Sequence, residues 1–252
     1  DDDSLVVPDT LQRLEQHFVD PLVVAVGGPS LTPVTDSLLQ QGIGAVLGSL
    51  LGAGGVRNRY RAVGTVRQTT ERELILCNLA IRRDAFLAAG GLDERLYPNE
   101  ENELLDRLKK GGGKLLHDPA LAVERSQRAS IPAFVRQMYR YGRGRAEQTR
   151  IAGFSGLMPF VPLAFLLYLL TLPFVAIPGW WLPLLVYGCA CCLCSLPAAL
   201  QQRQPLFLLL VPLLLPLLHI ANGIGLLTGF LFPGRRNMCY NQQPVTIRRI
   251  QP

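Results

Sequence analysis

No acidic residue follows Glu147, and after Ile151 the only charges are Arg203, Arg235, Arg236, Arg248 and Arg249. The first 150 residues hold all 19 acids and all but five of the 25 basic residues, so their charge nearly balances, and the net +6 comes mostly from the second half. That half contains three apolar segments, Phe154–Ile177, Trp180–Leu200 and Leu206–Phe232. Each reaches the roughly 20 residues that cross a ~30 Å hydrocarbon core. Basic edges on an apolar region are a membrane pattern. A nucleic-acid domain would instead spread its charge over a polar folded surface, so nucleic acid is not an expected partner. Trp180 and Trp181, after Pro178-Gly179, suit an interfacial turn.

The first 150 residues read differently. Pro8-Asp9-Thr10 with Leu11, Leu14 and Phe18 at helical spacing predicts a helix ended by Asp20-Pro21, and Leu22–Val26 a buried strand. Leu38–Leu51 is an apolar run with glycine interruptions that leads into a Gly-rich loop at 52–55; a strand is expected over Glu73–Leu79, and a helix over Arg82–Ala89 closed by Gly90-Gly91. Asn99–Lys110 predicts a helix capped by Asn99, with Glu103–Arg107 and Asp106–Lys110 as i,i+4 pairs. Alternating strands and helices make this an α/β domain. The four cysteines at 189, 191, 192 and 194 lie inside an apolar segment, where they read as small packing residues rather than a zinc site.

Three clusters can carry chemistry. Asp1-Asp2-Asp3 places adjacent carboxylates that a divalent cation, Mg²⁺ or Mn²⁺, would neutralise; a solvated acidic terminus has the same composition. Glu100-Glu101-Asn102-Glu103 opens a helix, where acids complement the helix dipole and where the same dipole favours the ionised form a general base needs. Residues 136–150 carry five arginines against one glutamate. Within them Gln137, Arg140 and Tyr141 form a Q-x-x-R-aromatic pattern suited to pyrophosphate oxygens, or to anionic lipid ahead of a membrane span.

The order of these clusters, with G-G-L-D-E at 90–94 and E-E-N-E-L at 100–104 between them, resembles membrane-bound family 2 glycosyltransferases of the GT-A fold, of the bacterial exopolysaccharide type. The resemblance implies a metal bound by Asp1 and Asp3, a catalytic base at Glu101, and a donor diphosphate held by Gln137, Arg140 and Tyr141. It implies a nucleotide-sugar donor, a lipid-linked or glycan acceptor, contact with membrane lipids, and a bacterial inner membrane location with the catalytic part cytoplasmic. Glu stands where the family has Asp at the base position, and Tyr where it has Trp. The family's nucleotide-binding half precedes D-x-D, so the resemblance also implies an acceptor half that is inactive by itself. A degenerate, non-catalytic membrane scaffold or export subunit is the alternative.

The expected organisation is a catalytic part over 1–130, an amphipathic Arg-rich interface helix over 131–152, a transmembrane region over 153–232 and a basic tail over 233–252. Three full crossings would place that tail opposite the catalytic part, against the positive-inside rule. Pro212, Pro216, Asn222 and glycines 223, 225 and 229 lead to the expectation that the third segment bends or re-enters near His219–Gly225. His219 and Asn222 are expected to make packing hydrogen bonds between helices.

Overall fold

The computed structural model describes residues 4–93, 96, 99–154 and 156–232. The α/β part begins with β1 (Ser4–Val6), α1 (Thr10–His17), β2 (Val23–Gly27) and β3 (Ser30–Leu31). The apolar α2 (Leu38–Gly48) and α3 (Leu50–Ala53) lead into a 3-10 helix at Gly54–Tyr60. Then come β4 (Arg67–Gln68), β5 (Leu79–Ile81), α4 (Arg83–Ala88), α5 (Glu100–Lys110), β6 (Lys114–His117) and β7 (Val123–Arg125). Two small sheets result, one in the order β4-β6-β2-β5 and one in the order β1-β7-β3. β2 is parallel to β6 and antiparallel to β5, and its buried face packs Val23 and Val26 on Leu121. This is the expected mixed α/β fold.

Two local expectations change. No strand covers Glu73–Ile75: that stretch turns, with Asn78 N–H bonding Ile75 C=O at 2.9 Å, and the strand starts at Leu79. The reason is Glu73, whose carboxylate receives Arg67, Thr69 and Asn58 and cannot also lie on a regular pleat. Asn99 precedes α5 in a left-handed conformation (φ 102°) and gives no side-chain cap. Its Oδ1 accepts from Asn102 Nδ2 at 3.1 Å instead.

The C-terminal part starts with α6 (Ile131–Ala152), capped by Ser130. The expected first long segment is broken: after a short 3-10 turn, α7 spans only Val161–Thr171. At ~1.5 Å per residue that is about 16 Å, half of what a bilayer core needs. α8 (Leu182–Gln201) and α9 (Phe207–Leu231) are the two described helices long and apolar enough to cross a membrane. The expectation of three long segments is thus corrected to two, with the shortfall in the first segment rather than the third.

The third segment is one continuous helix, α9, of 25 residues, without the interruption expected near His219–Gly225. Its glycines serve packing instead. A Cβ on Gly225 would strike the backbone carbonyl of Tyr139, one on Gly229 would meet Ala146 Cβ at 2.7 Å, and one on Gly142 of α6 would strike Asn222 C=O. Gly225-x-x-x-Gly229 thus lies against Gly142-x-x-x-Ala146, small residues that let two helices touch backbone to backbone. Gly223 receives Pro162 of α7 in the same way. α9 also packs on α2, so one apolar core joins Ile43, Val46 and Leu47 to Phe134, Met138, Phe207, Leu214 and Leu218. His219 bonds Tyr187 Oη (2.7 Å) and Leu51 C=O (3.0 Å), and Asn222 reaches Met138 C=O, the expected packing roles. The arginines of the tail at 233–252 lie outside the described residues.

Candidate active site

α6 works on two opposite faces. Tyr139, Gly142, Arg143 and Ala146 meet α9. Gln137, Tyr141, Arg145 and Gln148, spaced three and four apart, form a stripe on the other side and carry the polar contacts. The structure brings Gln137 and Tyr141 together: Gln137 Nε2 donates to Tyr141 Oη at 2.9 Å, and Arg128 Nε donates to Gln137 Oε1 at 3.2 Å. Both line a small cleft with Ser30, Tyr60, Arg125 and Arg128. Arg140 is exposed on the flank of α6, outside that cleft, with no hydrogen bond or ion pair among the described residues.

Glu101 is the second residue of α5, whose first turn holds three acids, Glu100, Glu101 and Glu103. Its Oε1 accepts from Asn102 Nδ2 at 3.1 Å. Burial pushes the carboxyl above its ordinary value; Arg59 opposes this, Glu100 adds to it, and Arg145 of α6 opposes it again. Desolvation makes this carboxyl a stronger base than a free one, while the two guanidinium groups favour the ionised form that accepts a proton. Arg145 is itself pushed down by burial and by Arg59.

Arg59 and Arg145 were not singled out by the sequence motifs. The available signal was Arg57-Asn58-Arg59-Tyr60-Arg61, a second run of basic residues interleaved with an aromatic, just past the glycines at 54 and 55. In the 3-10 helix its two consecutive residues join the two halves of the site. Arg59 bonds Asn102 Oδ1 and the carbonyls of Glu71 and Arg72, while Tyr60 faces Tyr141. Asn58 anchors the same turn to Glu73, and its carbonyl lies 3.2 Å from His117 Nε2.

Asp1 and Asp3 lie outside the described residues, and no three His, Cys, Asp or Glu side chains converge among the described residues. Ser4, which follows the triplet, pairs with Arg125 of β7, and Arg125 lines the cleft of Gln137 and Tyr141. The Oγ of Ser4 is buried without a partner among the described residues, a free hydroxyl that fits a polar or hydrated group beside it.

Over 175 residues, 67% of this chain, the sequence is 31% identical to the succinoglycan biosynthesis protein ExoA of Rhizobium meliloti (strain 1021). The chain spans about half the length of that relative, 50%. Residues 1–227 match the family described as glycosyl transferase family group 2, and the chain belongs to that family.

Proposed function

We propose that this protein is a membrane-anchored inverting glycosyltransferase that moves a sugar from a nucleotide-sugar to a lipid-linked or polysaccharide acceptor. The observation that carries this reading is Glu101: a desolvated carboxyl at a helix start, faced by Arg59 and Arg145, in a chain of this family. Glu101 takes the proton of an acceptor hydroxyl. The hydroxyl oxygen bonds to the anomeric carbon as the bond from that carbon to the diphosphate oxygen breaks, and the electron pair leaves with the diphosphate. Gln137 and Tyr141, with Arg125 and Arg128 in the cleft they line, supply donors and positive charge for that leaving group, and Arg140, on the exposed flank of the same helix, would add to it from outside the cleft. Asp1 and Asp3 would hold a divalent cation, Mg²⁺ or Mn²⁺, which supplies charge neutralisation to the diphosphate.

The part over 1–130 carries the catalysis, 131–152 forms the interface, 153–232 anchors the protein and 233–252 is its basic tail. The exposed apolar length of α8 supports the anchor. Two crossings would return the tail to the side of the catalytic part, in line with the positive-inside rule, which supports reading this as an inner-membrane enzyme with both on the cytoplasmic face. The test is Glu101→Gln in the intact protein, assayed with UDP-sugars and Mn²⁺. Turnover falls at least ~10²-fold, the usual consequence of losing a general base, with the melting temperature unchanged. Transfer by the variant at near wild-type rate would refute Glu101 as the base.

A further inference from the structure

Asn102 is 2% exposed, beside the base and fully hydrogen-bonded. Its amide has one orientation that satisfies its neighbours. Arg59 can only donate, so Oδ1 must face the guanidinium, which leaves Nδ2 and its two hydrogens for acceptors. Those acceptors are Glu101 Oε1 and Asn99 Oδ1, each at 3.1 Å. Arg59 is in turn fixed by the carbonyls of Glu71 (2.5 Å) and Arg72 (2.8 Å), so its direction is set by backbone and not by Glu101. Besides the Asn102 bond the Glu101 carboxylate accepts from its own backbone N–H, and among the described residues Asn102 is the one side chain hydrogen-bonded to it.

We propose that Arg59 and Asn102 are positioning residues acting in series: Arg59 sets the Asn102 amide, and the amide holds one oxygen of Glu101 so that the other faces the acceptor hydroxyl. The inference rests on Glu101 being the base. A bare ion pair would give the carboxylate charge without direction, and would leave the base free to rotate about its last two torsions. An amide clamp fixes the carboxylate plane and favours its ionised form. The longer reach of Glu at this position makes such a clamp more necessary, because one more torsion has to be fixed. The charged groups facing Glu101 are Arg59 from the 3-10 helix, Glu100 from α5 and Arg145 from α6.

The clamp is tested by a titration that needs no knowledge of the donor. Dicyclohexylcarbodiimide adds to a protonated carboxyl: the acid O–H adds across one C=N bond, and the acyl group then moves to nitrogen as a stable acylurea. Labelling of the Glu101 peptide, followed by mass spectrometry across pH in the intact protein, reads the midpoint at which the carboxyl ionises. In Asn102→Leu, and in the smaller Asn102→Ala should the first fail to fold, the midpoint moves up by about one pH unit, as expected when a carboxylate loses a donor. In an Arg59→Gln background the same change adds less than it does alone, because an unanchored amide no longer clamps. An unmoved midpoint in either Asn102 variant, or full additivity with Arg59→Gln, overturns the series arrangement. The outcome is separate from the base assignment, which an active Glu101→Gln protein would remove while leaving the titration result intact.

Discussion

The turn that carries Arg59 and the crossing of α6 on α9 solve opposite problems with the same chain. Around Arg59 almost every contact is a directed polar bond: Asn58 to Glu73, Arg59 to Asn102, Asn102 to Glu101. At the crossing little is directed; Gly142, Gly225 and Gly229 let backbones approach, and two hydrogen bonds are added, from Asn222 to Met138 C=O at 3.4 Å and from Thr228 Oγ1 to Tyr139 Oη at 3.1 Å. The first region therefore tolerates changes of volume and fails on loss of a donor, while the second tolerates changes of polarity and fails on added volume. α6 belongs to both, since the stripe that faces the site and the stripe that faces α9 share one helix. Any shift at the crossing is carried to Gln137, Tyr141 and Arg145.

The largest effect should come from adding volume at the crossing. Gly225→Leu drives a side chain into the carbonyl of Tyr139, a backbone atom that cannot swing aside. The cost lies at or beyond the ~3 kcal/mol upper end for overpacked cores, and folded protein should be lost from detergent extracts on size-exclusion chromatography. Gly188 sharpens the contrast: it also lies in an apolar helix, but nothing lies within 4 Å of its missing Cβ. Gly188→Ala should leave yield intact and raise the melting temperature slightly, because alanine is the better helix former by up to about 1 kcal/mol. Equal behaviour of the two variants would mean that glycine marks flexibility at both sites and not close approach at one.

The directed region should fail in acid. Burial would raise the Glu73 carboxyl, but Arg67, Thr69 and Asn58 outweigh it and lower the group from 4.5 to about 2. A carboxyl lowered on folding stabilises the protein above its unfolded value and loses that contribution as pH falls through the window from about 4.5 to 2. Glu73→Gln should remove roughly 2 kcal/mol at neutral pH, and should flatten the pH dependence of the melting temperature in that window. α8 carries no acid, so Gly188→Ala, which stays folded, should keep the wild-type slope there. A Glu73→Gln protein with an unchanged acid profile would remove Glu73 as the anchor of the turn.

Legibility followed the same division. Periodicity found α1, α4 and α5, and i,i+4 spacing found the Glu103–Arg107 pair now seen at 2.7 Å, because these depend on neighbours in sequence. Gln137 and Tyr141 were legible as a pair because i,i+4 spacing on one helix makes them touch. Arg59 was not legible: its partner Asn102 is 43 residues away, and nothing local distinguishes it from Arg57 or Arg61. The glycines of α9 were visible but misread, since a glycine that relaxes a helix and one that admits a neighbour look alike until the neighbour is placed. The acceptor role of Glu73, which turns an expected strand into a bend, was hidden for the same reason.

The smallest expected effect tests whether the site end of α6 belongs wholly to the directed region. Tyr141 Oη accepts from Gln137 Nε2, while its ring is still 36% exposed and faces Tyr60 in the cleft. Tyr141→Phe keeps the ring and removes the acceptor, which at such exposure is worth about 0.5–1 kcal/mol, or at most a fivefold rise in the concentration of UDP-sugar that half-saturates transfer. Tyr141→Trp restores the residue usual in the resemblance, but its indole N–H can only donate. Gln137 would have to turn its oxygen from Arg128 to meet it, so the indole should fall between the wild type and phenylalanine. Tyr141→Ala, losing the ring, should cost more than either. If phenylalanine and tryptophan match the wild type while alanine fails, volume decides here as it does at Gly225, and the boundary between the two regimes runs along the site face of α6. If phenylalanine costs more than tenfold, the hydroxyl itself meets the diphosphate, and the directed region extends to the end of the stripe.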